Sequence, residues 1–206
     1  MFGDNLDRIV KGIEKNYEAD EIFFTKPGRR FPSRSAVKWV LKDLRRVLFP
    51  GYFGDEMLTP STSPEYFIGE TLIQIERVLR EQIVLALSYT SDDRDAAEAD
   101  PARHLCGGGT PEHICKRASE VCTVFFDELP RIQQVLLTDV QALYDGDPAA
   151  GSKEEVIFSY PGLYAIYVYR VAHVLYHQNV PIIPRIMTEL AHSGTGSDIG
   201  AGAEIG

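Results

Sequence analysis

The residues best suited to metal chemistry form two pairs on either side of three consecutive glycines. His104 and Cys106 precede the glycines, and His113 and Cys115 follow them. Imidazole and thiolate are ligands that zinc prefers. Zinc knuckles, however, place paired cysteines about two to four residues apart, and neither pair has that form. We therefore predict free core cysteines, with Cys115 and Cys122 seven residues apart on the buried face of one helix.

A second candidate is the histidine pair His173 and His177, four residues apart in a stretch that also contains Tyr169 and Arg170. Side chains at this spacing lie on one face of a helix and can bind a metal ion together. The glutamate of an HExxH arrangement is missing between them, and bulky apolar residues flank both. We interpret each as a hydrogen-bonded structural histidine.

Two aspartates lie at positions where a carboxylate commonly caps a helix or stabilises a turn. Asp147 precedes a predicted short helix and fits a capping role, and Asp198 lies among glycines and fits a turn. From the residue pattern alone, these structural roles are the better interpretation of both aspartates.

Apolar residues at spacings of three and four predict an all-α domain of seven to eight helices over residues 1–192. The predicted helices are 4–18, 33–48, 64–89, 111–144, 152–158, 160–175 and 184–192. Asp4 and Ser33 are the predicted N-caps of the first two. Pro130 is expected to kink or divide the fourth.

The pattern changes over residues 193–206. Ile199 and Ile205 lie six residues apart, and each is followed by glycine. A six-residue period is typical of a hexapeptide-repeat parallel β-helix. We therefore assign residues 193–206 to the start of such a solenoid, and we expect the rest of it to lie beyond Gly206.

The composition narrows the class of protein. A net charge of −9 argues against nucleic-acid binding, which needs a basic face. The first residues lack the apolar core of a secretory signal, and no apolar run reaches the roughly 18–20 residues of a membrane-spanning helix. Three cysteines suit a reducing compartment. We expect a cytoplasmic, soluble protein with no membrane partner and no metal.

From Asp147 onward the chain resembles the serine O-acetyltransferases of cysteine biosynthesis. The resembling segments are Asp147-Pro148-Ala149, Pro161-Gly162, AIYVYRVAHVL at 165–175, AHSGTGSDI at 191–199 and GAEIG at 202–206. The earlier residues match only as a helical amino-terminal domain. The chain departs from the family after Asp198-Ile199, where Gly200-Ala201 stands in place of histidine-proline.

The resemblance implies an enzyme that transfers the acetyl group of acetyl-CoA to the hydroxyl of L-serine. Acetyl-CoA is then a co-substrate, with no permanently bound cofactor. In this family a histidine acts as general base on the serine hydroxyl, and an aspartate orients that histidine. Asp198 matches this catalytic aspartate, and Asp147 matches the aspartate that pairs with the ammonium group of the substrate. The general base and the coils that bind CoA would lie beyond Gly206, so we expect the chain alone to be inactive.

The resemblance also implies a left-handed β-helix assembled as a homotrimer or a dimer of trimers. Docking to cysteine synthase, where the family shows it, uses a C-terminal tail that would again lie beyond residue 206. Two other functions stay open. One is an oligomerisation or partner-docking module built on the long helices at 64–90 and 111–145, and the other is a hexapeptide acyltransferase with a different acceptor.

Overall fold

The computed structural model describes residues 2–19, 30–54, 63–90, 106 and 110–206, and these residues form seven helices and no strand. The helices are α1 (Phe2–Ala19), α2 (Arg34–Leu48), α3 (Pro64–Thr90), α4 (Glu112–Gly146), α5 (Lys153–Ser159), α6 (Pro161–His177) and α7 (Ile183–Thr195). None of these helices has both the length and the apolar composition that crossing a membrane requires. The prediction of an all-α domain with seven to eight helices is confirmed.

Capping explains where α2 begins. The Ser33 hydroxyl accepts a hydrogen bond from the Ala36 N–H at 3.3 Å, which satisfies one of the unpaired donors of the first turn. The predicted Ser33 cap is therefore confirmed. The predicted Asp4 cap is wrong, because α1 already begins at Phe2 and Asp4 lies inside the helix.

The longest helix, α4, continues past a proline. Pro130 lies in its interior, so the helix is not divided there. Proline removes one main-chain hydrogen bond and costs roughly 3 kcal/mol in a helix interior. Leu129 and Ile132, on either side, are 5% and 2% exposed. Burial of this face against the core offsets the cost of the proline.

The core lies where α2, α3, α4 and α6 pack together, with α7 packed along α6 and against α2. Helix α6 is buried on most of its circumference, including Leu163, Val171 and Leu175. Tyr167 is fully buried, and its hydroxyl donates a hydrogen bond to the Leu41 carbonyl at 2.6 Å. The one polar atom of this side chain is thereby satisfied. Helix α6 is the scaffold on which the candidate site is built.

A strained turn sets the direction of α7. Ile182 has φ 64° and ψ −48°, and the Ile183 N–H donates to the Pro181 carbonyl at 2.6 Å. This is a γ-turn with positive φ, a rare and strained form, and its central residue is β-branched. The turn reverses the chain so that α7 packs back along α6.

Helix α1 carries the predicted apolar stripe, but the stripe faces solvent. Leu6, Ile9, Ile13 and Tyr17 are each more than 40% exposed. Among the described residues, the side chains that form the core come from elements that follow α1. Packing against this core therefore does not stabilise α1.

Residues 197–206 have no regular secondary structure and contain a turn at Ala201-Gly202. The Ala203 N–H donates to the Gly200 carbonyl at 3.0 Å and closes that turn. Since this segment contains no strand, the start of a β-helix stays a prediction.

Candidate functional site

Asp147 lies in the turn between α4 and α5, and both of its carboxylate oxygens accept hydrogen bonds. The Ala149 N–H donates to Oδ1 at 2.9 Å, and the Tyr160 hydroxyl donates to Oδ2 at 2.5 Å. The Asp147 carbonyl also accepts a hydrogen bond from the Ala150 N–H at 3.0 Å, which closes the turn. Because Tyr160 is the residue before α6, its hydroxyl connects this turn to the central helix.

The two hydrogen bonds stabilise the ionised carboxylate. They hold the pKa of Asp147 below its usual value, with the Tyr160 hydroxyl as the larger cause and the Ala149 N–H as the second. The hydrogen bond to the carboxylate also raises the pKa of Tyr160 to about 12. Each carboxylate oxygen keeps a further lone pair. Asp147 is therefore a fixed, ionised acceptor that can still bind a cationic group.

The capping role that the residue pattern predicts for Asp147 is wrong. The N-cap of α5 is Ser152, whose hydroxyl accepts a hydrogen bond from the Glu155 N–H at 3.1 Å. Asp147 instead ends α4. Its carboxylate thus stabilises its own turn and binds Tyr160, and it is not used to begin a helix.

Asp198 follows α7 and is exposed to solvent. The chain just before it is fixed by Thr195, whose hydroxyl donates to the Ala191 carbonyl at 2.8 Å and accepts from the Ser197 N–H at 3.1 Å. No hydrogen bond joins the carboxylates of Asp198 and Asp147. Asp147 lies in the turn after α4, whereas Asp198 lies in the irregular segment after α7 and is not part of the turn at Ala201-Gly202.

One row of side chains on α6 binds the last residues of the chain through their main chain. The Tyr169 hydroxyl donates a hydrogen bond to the Ala203 carbonyl at 2.7 Å and accepts one from the Ile205 N–H at 3.2 Å. One turn further along the helix, His173 Nδ1 lies 2.8 Å from the Ala201 carbonyl. Tyr169 and His173 thus hold a non-helical segment that has no neighbouring strand in the described chain.

Tyr176 extends this row by another turn. Its ring packs against Gly202, where an added Cβ would lie 2.7 Å from the ring carbon Cζ. Real Cβ atoms do not approach carbon this closely, so any side chain at residue 202 would displace the ring. Glycine therefore lets the main chain approach the ring closely without displacing it.

Arg170 connects the same segment to α4. Its guanidinium binds Asp139 in a bidentate pair, with both nitrogen–oxygen distances at 2.6 Å. The two side chains are only 10% and 16% exposed. A further hydrogen bond runs from Arg170 Nη2 to the Gly206 carbonyl at 3.3 Å. Planar, bidentate pairing fixes the guanidinium in place, so Arg170 is a rigid support for the end of the chain.

A small pocket of about 110 Å³ lies between α4 and this segment. It is lined by Arg131, Ile132, Val135, Tyr169, Arg170, His173 and Ile205. Asp139 neutralises one of its two guanidinium groups, and Glu128 pairs with Arg131 at 2.5 Å. The pocket is therefore not a ready site for an anion, and neither predicted site aspartate lines it.

Sequence spacing does not reveal Tyr160 and Asp139 as parts of this region. They lie 13 and 31 residues from the side chains that they bind. No helical or strand period relates residues so far apart. A signal does exist for the row on α6, because its polar aromatic side chains recur at spacings of four and three in an otherwise apolar helix.

The prediction of free core cysteines is wrong for Cys106 and Cys115 and is confirmed for Cys122. Cys106 and Cys115 form a disulfide, so Cys115 is not a free core thiol. Its neighbour Ile114 takes the buried position at the start of α4, which leaves Cys115 partly exposed. Cys122 is free and buried as predicted, and burial raises its pKa to about 12. His104 lies outside the described residues.

His173 and His177 are both hydrogen-bonded, as the sequence predicts. Their Nε2 atoms lie 3.0 Å apart, and His173 also contacts Ala201 through Nδ1. In the ranges that the structure describes, no group of three or more histidine, cysteine, aspartate or glutamate side chains has a metal-binding arrangement.

The chain is similar in sequence to known serine acetyltransferases. The relative named serine acetyltransferase, plasmid, from Synechococcus elongatus is 42% identical over 175 residues, which cover 85% of this chain and 51% of the relative. A serine acetyltransferase of Synechocystis is 44% identical over 71 residues, which cover 34% of this chain and 28% of the relative. No protein-family model matches. The chain thus spans about half the length of the Synechococcus relative.

The fold is similar as well. The crystal structure of serine acetyltransferase 1 from Entamoeba histolytica in complex with L-cysteine superposes with a TM-score of 0.61 and 26% identity. The match covers 96% of this chain and 61% of that one. The resemblance that the motifs over residues 147–206 indicate is therefore confirmed, and it extends to most of the chain.

Proposed function

We propose that this chain, a homologue of serine acetyltransferases, is part of an enzyme that transfers the acetyl group of acetyl-CoA to the hydroxyl of L-serine. The observation that carries the proposal is the 42% identity across 85% of the chain. This similarity reaches far beyond the motifs after Asp147. Acetyl-CoA is a co-substrate in this reaction and not a resident cofactor.

In this proposal Asp147 binds the ammonium group of L-serine. The hydrogen bonds from Tyr160 and Ala149 keep the carboxylate ionised and fix its direction. A fixed carboxylate binds an ammonium group through a charge-assisted hydrogen bond and loses little freedom in doing so. The geometry supports a binding role, because no lysine or arginine of the described residues forms an ion pair with Asp147 and its carboxylate is held by two hydrogen bonds.

Asp198 orients the general-base histidine of the same reaction. That histidine belongs to residues outside this chain, and the exposed carboxylate of Asp198 can accept its imidazole N–H. The imidazole takes the proton of the serine hydroxyl as the oxygen attacks the thioester carbonyl. CoA then leaves as the thiolate and takes up the proton. The aspartate holds the imidazole in the required tautomer and stabilises the imidazolium.

Residues 1–192 form the helical domain of this enzyme, and residues 193–206 begin its left-handed β-helix. The end of helical structure before residue 197 and the turn at Ala201-Gly202 support this assignment. The active form is a homotrimer or a dimer of trimers in the cytoplasm. Binding to cysteine synthase requires a tail outside this chain.

A chimera tests the proposed reaction. Residues 1–206 are joined to the remaining half of the Synechococcus relative, and release of CoA from acetyl-CoA is followed with L-serine and with other hydroxyl acceptors. We expect L-serine to be the preferred acceptor, whereas residues 1–206 alone give no turnover. A folded chimera that is inactive, or that prefers another acceptor, contradicts the proposal.

Single substitutions in the chimera separate the two aspartates. Asp147→Ala should raise KM for L-serine more than it lowers kcat. Asp198→Ala should lower kcat by about a hundredfold or more, because it disables general-base catalysis. Asp145→Ala, at an exposed carboxylate two residues from Asp147, is the matched control and should leave both constants unchanged. An unchanged KM in Asp147→Ala would rule out its binding role.

Exposed apolar side chains favour a second function, which is docking to another copy of the chain. Ile73 of α3 is 71% exposed and Leu137 of α4 is 58% exposed. Sedimentation of the isolated chain should then show association, and the double variant Ile73→Lys/Leu137→Lys should reduce it. A strict monomer at all concentrations argues against this function.

A further inference from the structure

We propose that His173 and His177 form a binding site for a divalent transition-metal ion of the zinc, nickel or copper type. The two Nε2 atoms lie 3.0 Å apart on the last turn of α6. The site is independent of acetyl transfer, because neither histidine has a part in the proposed reaction.

The hydrogen bond to Ala201 prepares His173 to act as a ligand. A carbonyl oxygen only accepts hydrogen bonds, so His173 Nδ1 carries the proton in its 2.8 Å contact with Ala201. In the neutral ring Nε2 then has a lone pair, and this atom faces His177. Histidines that bind metals almost always donate their other ring N–H to a carbonyl, a carboxylate or water. This contact fixes the orientation of the ring and makes its Nε2 a better donor to a metal.

The distance between the two Nε2 atoms fits a shared ion. Metal–nitrogen bonds of about 2.0–2.1 Å with tetrahedral or square geometry place two ligand atoms about 2.9–3.4 Å apart. The separation of 3.0 Å lies within that range. Without an ion, the Nε2–H group of His177 donates a hydrogen bond to Nε2 of His173. When an ion binds, this proton moves to Nδ1 of His177, which frees the second Nε2 lone pair for the metal without a change in charge on either ring.

The surroundings favour a cation bound in part by solvent. His177 is exposed and is the last residue of α6, where the helix dipole stabilises positive charge. Because no third protein ligand joins the pair among the described residues, water completes the coordination. Imidazole ligands suit zinc, copper and nickel, whereas magnesium and calcium take oxygen ligands. This chemistry defines the class of ion that the site takes.

Two hydrogen-bonded neutral rings would have the same geometry, so the test must detect the ion itself. The 206-residue chain is titrated with Zn²⁺ and with Ni²⁺ by isothermal titration calorimetry in a buffer without chelators. Ni²⁺ is also added during NMR, because its paramagnetism broadens signals of nearby nuclei. We expect saturable binding of both ions, selective broadening of the His173 and His177 ring signals, and no binding of Mg²⁺.

Three variants make the assignment specific. His177→Asn and His173→Asn each remove one ligand and should weaken binding by about tenfold or more. His192→Asn, at an exposed histidine of α7, is the matched control and should bind as the parent chain does. The proposal is overturned if the parent chain shows no saturable binding. It is also overturned if His177→Asn binds unchanged, or if His192→Asn weakens binding equally.

Discussion

The Tyr169 hydroxyl donates a hydrogen bond to the Ala203 carbonyl at 2.7 Å, across 34 residues of chain. The same oxygen accepts the Ile205 N–H. Main-chain groups outside helices and sheets normally bond to side chains or to water. Here the side chain of a central helix binds them, and it fixes the position of the segment relative to the core.

Tyr169→Phe keeps the ring and removes both hydrogen bonds. We expect unfolding free energy to fall by about 1 kcal/mol, the usual net value of such bonds. The Ile205 amide should also exchange its hydrogen faster, as measured by NMR. Tyr66→Phe, at a tyrosine that is 69% exposed, is the matched control and should change neither quantity. Equal exchange at Ile205 in the variant and the parent chain would show that the contact does not hold the segment.

The Arg170–Asp139 pair should contribute much more to stability than a surface pair. Asp139→Asn leaves a largely buried guanidinium without its charged partner, and we expect a loss of about 3 kcal/mol in urea unfolding. Glu189→Gln breaks the exposed pair with Arg185, where a loss of about 0.5 kcal/mol is typical. Similar losses for the two variants would mean that solvent screens the Arg170–Asp139 pair as well.

Stability should depend on pH through Asp147 and Tyr160. The pKa of Asp147 is lowered in the fold, so its contribution is present above the ordinary carboxyl pKa and is lost as pH falls through the lower folded value. The pKa of Tyr160 is raised to about 12, so its contribution is full below the ordinary tyrosine pKa and is lost as pH rises towards that value.

Tyr160→Phe removes the larger cause of the lowered Asp147 pKa, and it removes the hydroxyl whose pKa is raised. In the variant, the pKa of Asp147 should rise towards its ordinary value, which NMR titration of the carboxyl carbon measures. Unfolding free energy should also become less dependent on pH at both extremes. Tyr144→Phe serves as the control, since it should leave the Asp147 titration unaltered. An Asp147 pKa that does not move in Tyr160→Phe would assign the shift to another group.

Gly202→Ala should disturb the contact with Tyr176 in a way that a second substitution repairs. The added methyl group meets the Tyr176 ring, which is 51% exposed and must swing into solvent. Tyr176→Ala in the same chain removes the clash, so we expect a coupling of about 0.5–3 kcal/mol between the two sites in thermal unfolding. Gly200→Ala, whose new Cβ meets no atom within 4 Å, is the control. Additive effects of the two substitutions would exclude the clash.

At the γ-turn, the variant Ile182→Gly should be more stable than the variant Ile182→Ala. Ile182→Ala and Ile182→Gly lose similar side-chain contacts, but only glycine adopts a positive φ without strain. We therefore expect the glycine variant to unfold at higher denaturant than the alanine variant, by about 1 kcal/mol. An alanine variant of equal or greater stability would show that the turn relaxes when isoleucine is removed.

The helices could be predicted because their signals are local. Apolar spacing and the Ser33 cap locate α2 to within a residue, and the same spacing identifies α4 on both sides of Pro130. The predicted start of α1, at residue 4, is two residues too late. Aspartate is a common N-cap, but its presence in the sequence does not show whether the helix begins there.

The connections between distant residues could not be predicted. Cys106 and Cys115 form a disulfide although they lie nine residues apart, and no periodicity in the sequence relates the two positions. Arg170 and Asp139 meet because α4 and α6 pack together. Asp147 and Asp198 stood out through their resemblance to a family, and the partner Tyr160 became visible only in three dimensions.

The row on α6 binds carbonyl and amide groups, which every residue carries, and it leaves the side chains at residues 203 and 204 unused in these hydrogen bonds. Mutations at these two positions therefore have little effect on how the segment is held. The sequence can therefore vary at these two positions while the segment stays in place, whereas Tyr169, Arg170 and His173 should remain under purifying selection.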